Sequence, residues 1–371
     1  MYEVGRSADG LLLQFPDQFR GVFARSRSHL EPLIVEARDI LERLPIPPVV
    51  RPYYSYGVLE HAQPSFVLAP LMFLAMAESQ GGITKKHKGY LPAFLLMVEL
   101  IGILDDTVDH TPKRSGRTTY WRRFGAASAA PFSCFLFSAA VEQTMQHAPE
   151  LLPLVTQMFA TICASESWEH DARYPASNEA ALAMWLQRHY DAVPSAIAHS
   201  LDSALVLHGL PTLDREVYVR FAELQQDVDD IVNFVEHRED DGENDDLKMG
   251  IVTYPLLATI HADADLSPVL DRLWGPCRDL KLDVDPWTAA KAGRPEIHAA
   301  YELVAQRVAE IGVAATIEKI ARDAQIAIDA ASPEARGCVA DLVWTFVERL
   351  CRIDALRPDV ERLCPAVRRL G

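Results

Sequence analysis

The chain has 371 residues, 49% of them hydrophobic, and a formal net charge of −16. That length and apolar content suffice for a sizeable core in one domain or two. The acid excess excludes nonspecific affinity for nucleic acid or anionic membrane, so an anionic ligand has to be received locally, by metal ions and a few Arg or Lys.

In chain order, residues 1–60 read as irregular apart from one helix near 30–44, which stops before Pro45-Ile-Pro-Pro48. Arg51–Tyr56 reads as an extended aromatic segment. Apolar helices are expected near 64–79 and 90–109, separated by Gly81-Gly82 and a solvated basic turn at Lys85, Lys86 and Lys88. Helical periodicity continues near 129–144, 150–166, 178–190, 194–208 and 213–236. The charged stretch 236–246 suits either a solvated loop or a lid that orders over a metal-bound ligand. Helices resume near 252–262 and 265–275, and after a Pro-containing loop the periodicity continues through 297–330 and 333–354. No convincing strand is found, so residues 1–371 are expected to form a single all-α domain, a large helical bundle. The scattered cysteines Cys134, Cys163, Cys277, Cys338, Cys351 and Cys364 lack metal or disulfide spacing. With no signal peptide or membrane span visible, a soluble cytoplasmic protein is expected.

Two acidic clusters carry the chemistry. The first, Asp105-Asp-Thr-Val-Asp109, ends an apolar helix and puts Asp105 and Asp109 about 40° apart on one face. Hard divalent cations take such oxygen ligands, and Mg²⁺ commonly combines one or two carboxylates with substrate phosphates and water. The second, Gln226-Asp-Val-Asp-Asp230 with Asn233 and Glu236, again places Asp229, Asn233 and Glu236 on one face, with Asp230 beside it. Two such helix ends could hold Mg²⁺ between them and share a diphosphate, pulling pyrophosphate away to leave an allylic cation. Phe66, Phe73, Phe94, Trp185, Phe221 and Phe234 are candidate cavity walls, although core packing is the ordinary role for each. No GxSxG, GxGxxG or GxxxxGK[ST] signature is present.

DDTVD followed by Arg114-Ser-Gly116, Phe124-Gly125, QxxDD and then Asp246-Leu-Lys-Met-Gly250-Ile-Val-Thr253 resembles the trans-isoprenyl diphosphate synthases over residues 60–260. The resemblance implies the all-α isoprenoid synthase fold around a central cavity, usually as a homodimer. It implies Mg²⁺ as cofactor, three ions with the diphosphate, with Mn²⁺ an alternative. The implied ligands are Asp105, Asp106, Asp109 and Asp229, with Asp230 a helper and Arg114 a diphosphate contact. Departures are equally plain. Where chain-elongating members carry a basic GKxxRP-type segment, this chain has Ser65–Pro70; Ser115 and Ile251 replace further basic residues, and the mid-chain Lys-Thr pair has no counterpart near Ala192-Val193. An anionic co-substrate without cationic partners is disfavoured. Asp229-Asp-Ile-Val-Asn233 is also similar to the NDxxSxxxE motif of class I terpene cyclases, with Glu236 standing one place before the family's acid. Trp185–Tyr190 is similar to the cyclase helix whose Arg, here Arg188, senses diphosphate; Lys248 and Arg238 are further candidates.

The expected activity is therefore a class I terpene synthase that ionises a linear prenyl diphosphate, C15–C20 favoured, with pyrophosphate taking the final proton. The alternatives are a prenyltransferase, elongating or using another acceptor, and a noncatalytic partner subunit of a prenyl synthase.

Overall fold

The computed structural model describes residues 22–60, 68–114, 117–192, 194–235, 246–278, 295–351 and 353–363. Its helices are α1 (Val22–Arg43), α2 (Arg51–Tyr54, continued by a π-helical turn, Ser55–Glu60), α3 (Leu68–Ser79) and α4 (Lys85–Val108). A short ladder, β1 (Lys113–Arg114) with β2 (Arg117–Thr118), is followed by α5 (Tyr120–Phe124), α6 (Ala126–His147), α7 (Leu152–Ala172), α8 (Glu179–Ala192) and α9 (Pro194–Leu207). Then come α10 (Arg215–Val235), α11 (Asp246–Met249), α12 (Tyr254–Ala262), α13 (Ser267–Arg278) and α14 (Pro295–Arg307). The chain ends through α15 (Val313–Ala330), α16 (Pro333–Leu350) and α17 (Arg357–Leu363). This is the all-α architecture expected, and no described helix is long and apolar enough to cross a membrane.

Helix α4 shows why. From His87 to Asp106 it is buried along nearly its whole length, packed against α1, α3, α6 and α7, so its sequence is apolar all round rather than striped. It starts at Lys85 because Thr84 caps it, in a reciprocal arrangement with His87. The expected basic turn is therefore the helix's first turn, with Lys85, Lys86 and Lys88 exposed and Lys86 paired to Glu150. The helix stops at Val108; Asp109 caps it, and His110 follows in the left-handed region with φ 54°.

Three further departures have local causes. Arg51–Tyr56 is helical, not extended, because Pro52 stands in the first turn, where a missing N–H costs nothing, and Tyr54 is fully buried. The β1–β2 ladder is too short for alternation to reveal it. The periodicity of 297–330 is interrupted by a π-helical turn, Val308–Gly312, between α14 and α15.

Two apolar clusters form the core. The larger joins α1, α3, α4, α6, α9, α10, α15 and α16; the smaller joins α8 and α11 to α14. Phe94 lies inside the first, edge-on to Phe73 and His199, and Phe221 is fully buried against Phe346. Both pack in the core, as does Phe73. Trp185 is buried in the second cluster and Phe234 packs at its edge, while Phe66 lies outside the described residues.

Gly250 ties the two halves of the site region. At φ +74° its carbonyl accepts from the Tyr174 N–H at 2.9 Å, and a Cβ there would stand 2.3 Å from Tyr174 Cδ1. Gly250→Ala is expected to cost ~2 kcal/mol or more through strain and overlap, read as a lowered denaturant midpoint. An unchanged midpoint would mean that Tyr174 yields freely.

Candidate active site

The first acidic motif occupies the last turn of α4, where the carbonyl ends of the helix disfavour negative charge. Carboxylates in such a place serve something other than helix stability. Asp105 and Asp109 share their surroundings with Glu166 of α7: burial, then the charges of Asp105, Glu169 and Asp109, push the Glu166 carboxyl up to about 9. Asp109 is paired with Arg173, at the end of α7. Asp106 is 2% exposed and lies within electrostatic reach of Glu99, which burial pushes up to about 8 against the opposing pull of Arg38. Asp105 and Asp109 thus share the surroundings of Glu166, while Asp106 is the buried member of the motif.

The second motif lies near the end of α10. Asp230 is buried, accepts from Gln226 at 2.8 Å, and is pushed well above the carboxylate range by burial, then by Asp246 and Asp227. Asp229 is part-exposed and paired with Arg349, from the last turn of α16. Asn233 belongs to the same helix, whereas Glu236 and Arg238 fall outside the described residues. Asp227 carries the strongest buried network: Lys319 of α15 donates to Asp227 at 2.8 Å, Asp323 at 2.7 Å and Glu223 at 3.3 Å. Its ammonium also lies over the rings of Tyr190 and Tyr254. One ammonium serves three carboxylates, so burial still pushes Asp227 up to about 6.

Adjacent residues of α8 link the two clusters. His189 hydrogen-bonds Glu169 at 2.9 Å on the first side, and the Tyr190 hydroxyl donates to Asp227 on the second. Burial pushes Glu169 up, but the His189 bond and the charges of His189 and Arg173 outweigh it and leave the carboxyl below its ordinary range. Next to Arg173, the Tyr174 hydroxyl donates to the Lys248 carbonyl at 2.8 Å. The working residues of this helix are therefore His189 and Tyr190. Arg188, on the same helix, is exposed. The Lys248 ammonium stands 4.8 Å over the Tyr301 ring.

Sequence reading missed Arg173, Lys319 and Arg349, lone basic residues far along the chain from the motifs they serve. Glu166, Glu169 and Arg173 do share a helical spacing that a face-by-face reading of α7 would have shown.

Among the described residues no three acids, histidines or cysteines converge on one preformed metal site. The donor chemistry nevertheless fits Mg²⁺. Each motif crowds buried carboxylates that repel one another, and Mg²⁺ takes only one or two carboxylates when phosphate and water complete its shell. The stretch after the first motif carries Lys113, Arg114, Arg117, Arg122 and Arg123. Arg117 presses electrostatically on Arg38, whose guanidinium donates to the Val58 and Leu59 carbonyls at 3.2 Å. Arg123 stacks 4.1 Å over the Tyr56 ring. Arg114 pairs in the ladder with Arg117.

A family model described as polyprenyl synthetase matches residues 69–280, a span holding both motifs. The mitochondrial hexaprenyl pyrophosphate synthase of Saccharomyces cerevisiae is 24% identical over 256 residues, 54% of this chain and 54% of that protein. This chain thus spans about half the length of that curated relative. A polyprenyl synthase from Caulobacter crescentus, solved with calcium and isoprenyl diphosphate, superposes with a TM-score of 0.65 at 19% identity, covering 92% of this chain and 97% of that one. A decaprenyl diphosphate synthase from Rhodobacter capsulatus gives 0.65 at 17% identity, covering 92% and 99%. These structures share the fold. The relatives are named as synthases of prenyl compounds, and the expectation of a cyclase finds no support among them.

Proposed function

We propose that this chain, which belongs to the polyprenyl synthetase family, is a prenyltransferase that joins an allylic prenyl diphosphate to isopentenyl diphosphate. The observation that carries this reading is the family match across both acidic motifs. The basic stretch 113–123 supports it, because Lys113, Arg117, Arg122 and Arg123 are exposed beside the first motif in an otherwise acidic protein. A second diphosphate therefore has cations to meet.

In the proposed reaction the allylic C–O bond breaks and pyrophosphate leaves with the electron pair. The double bond of isopentenyl diphosphate attacks the cation to form the new C–C bond, and the proton then lost from that unit goes to pyrophosphate. Asp105 and Asp109 on one side and Asp229 on the other would hold Mg²⁺, with Asp230 behind Asp229. Bound there, Mg²⁺ would neutralise the charge developing on the leaving pyrophosphate. Arg114 would steady the allylic diphosphate. Tyr190 and His189 position the two clusters through Asp227 and Glu169.

Purified protein with Mg²⁺ and C10, C15 or C20 allylic diphosphates tests this directly. Longer diphosphates are expected only when isopentenyl diphosphate is also present, and Asp105→Ala is expected to lower their rate at least ~10²-fold. Hydrocarbons or alcohols formed without isopentenyl diphosphate would overturn the transferase in favour of a cyclase.

A further inference from the structure

Arg349 stands in the last turn of α16, outside the part of the chain that matches the family, and its Nη1 pairs with Asp229. Two arginines hold the two motifs in this way, but they differ in freedom. The Arg173–Asp109 side chains are 8% and 14% exposed, whereas Arg349 and Asp229 are 30% and 37% exposed. A pair so open to water is screened and weakly held. The remaining donors of the Arg349 fork have no partner among the described residues. A guanidinium is suited by shape to phosphate oxygens, which it binds two at a time. The negative end of α16 keeps a cation near this place whichever acceptor it uses.

We propose that Arg349 is a substrate-contacting residue whose resting partner is Asp229: Mg²⁺ and Arg349 compete for that carboxylate, and the displaced guanidinium takes up the diphosphate of the prenyl substrate. This rests on the reading of the site given above. It makes α16 a sensor of the loaded state, and it makes binding of metal and diphosphate mutually supportive. The step is an exchange of ion-pair partners, with no covalent change.

The alternative is a stitch that merely joins α16 to α10. The two differ in sign. Removing a competing cation frees Asp229 for metal, while removing a diphosphate donor weakens the anion. Calorimetry on the full chain, first with Mg²⁺ alone and then with inorganic pyrophosphate at saturating Mg²⁺, reads both. Arg349→Met is expected to bind Mg²⁺ about 3-fold tighter and pyrophosphate at least ~10-fold more weakly, with Arg349→Lys restoring the first effect but only part of the second. Pyrophosphate binding that is unchanged in Arg349→Met overturns the proposal, as does Mg²⁺ binding that weakens along with thermal stability. A wild-type protein that takes up no pyrophosphate with Mg²⁺ overturns the reading of the site and this proposal with it.

Discussion

Lys319→Met is expected to destabilise the protein by about 3–5 kcal/mol near neutral pH, the usual penalty for breaking a buried ion pair from one side. The side chains are enclosed: Lys319 is 11% exposed, Glu223 9%, Asp323 6% and Asp227 not at all. Methionine fills much of the same volume, so the loss is that of charge, not of packing. The pH dependence identifies the cause. Asp227 already sits at about 6 in the folded protein, above its unfolded value, so its contribution is fully present below the unfolded pKa and is lost as pH rises through about 6. Without Lys319 that loss deepens, and the penalty should be smaller near pH 5 than near pH 8. Urea titrations of both proteins at the two pH values read this. A penalty below ~1 kcal/mol, or one independent of pH, would mean that water reaches the cluster and screens it.

The same cluster shows where the sequence was readable. The two aspartate motifs are legible because their residues are adjacent in the chain and helical periodicity fixes which of them share a face. Helix existence was legible for the same reason: α4, α8, α9 and α10 lie close to where periodicity puts them. Lys319 was not, because a lysine among Ile317, Ile320 and Ala324 looks like any interruption of an apolar face until α10 brings Glu223 and Asp227 against it. The cyclase expectation, which finds no support among the relatives, was drawn in a related way. It rested on basic residues missing from four motif positions read along the chain, whereas Arg38 and Arg117, from elements far apart in the chain, come within electrostatic reach only in the fold. A charge balance belongs to a volume, and a motif samples only a line through it.

Glu99 puts that distinction to a quantitative test. It lies on α4 two turns before Asp106, 8% exposed, with its carboxyl at about 8. Burial dominates, Asp106 adds to it, and Arg38 only partly opposes them. The group's folded pKa is raised, so its contribution to stability is present below the unfolded value and declines by ~1.4 kcal/mol per pH unit until the pH passes about 8. Glutamine keeps the shape of the neutral acid and cannot ionise. Glu99→Gln is therefore expected to match the wild type near pH 5 and to exceed it by on the order of 4 kcal/mol near pH 8.5, read from urea midpoints across that range. Parallel stability curves would place a full negative charge at Glu99, with Arg38 as its tight partner. A growing difference would instead leave the Arg38 charge largely uncompensated by Glu99.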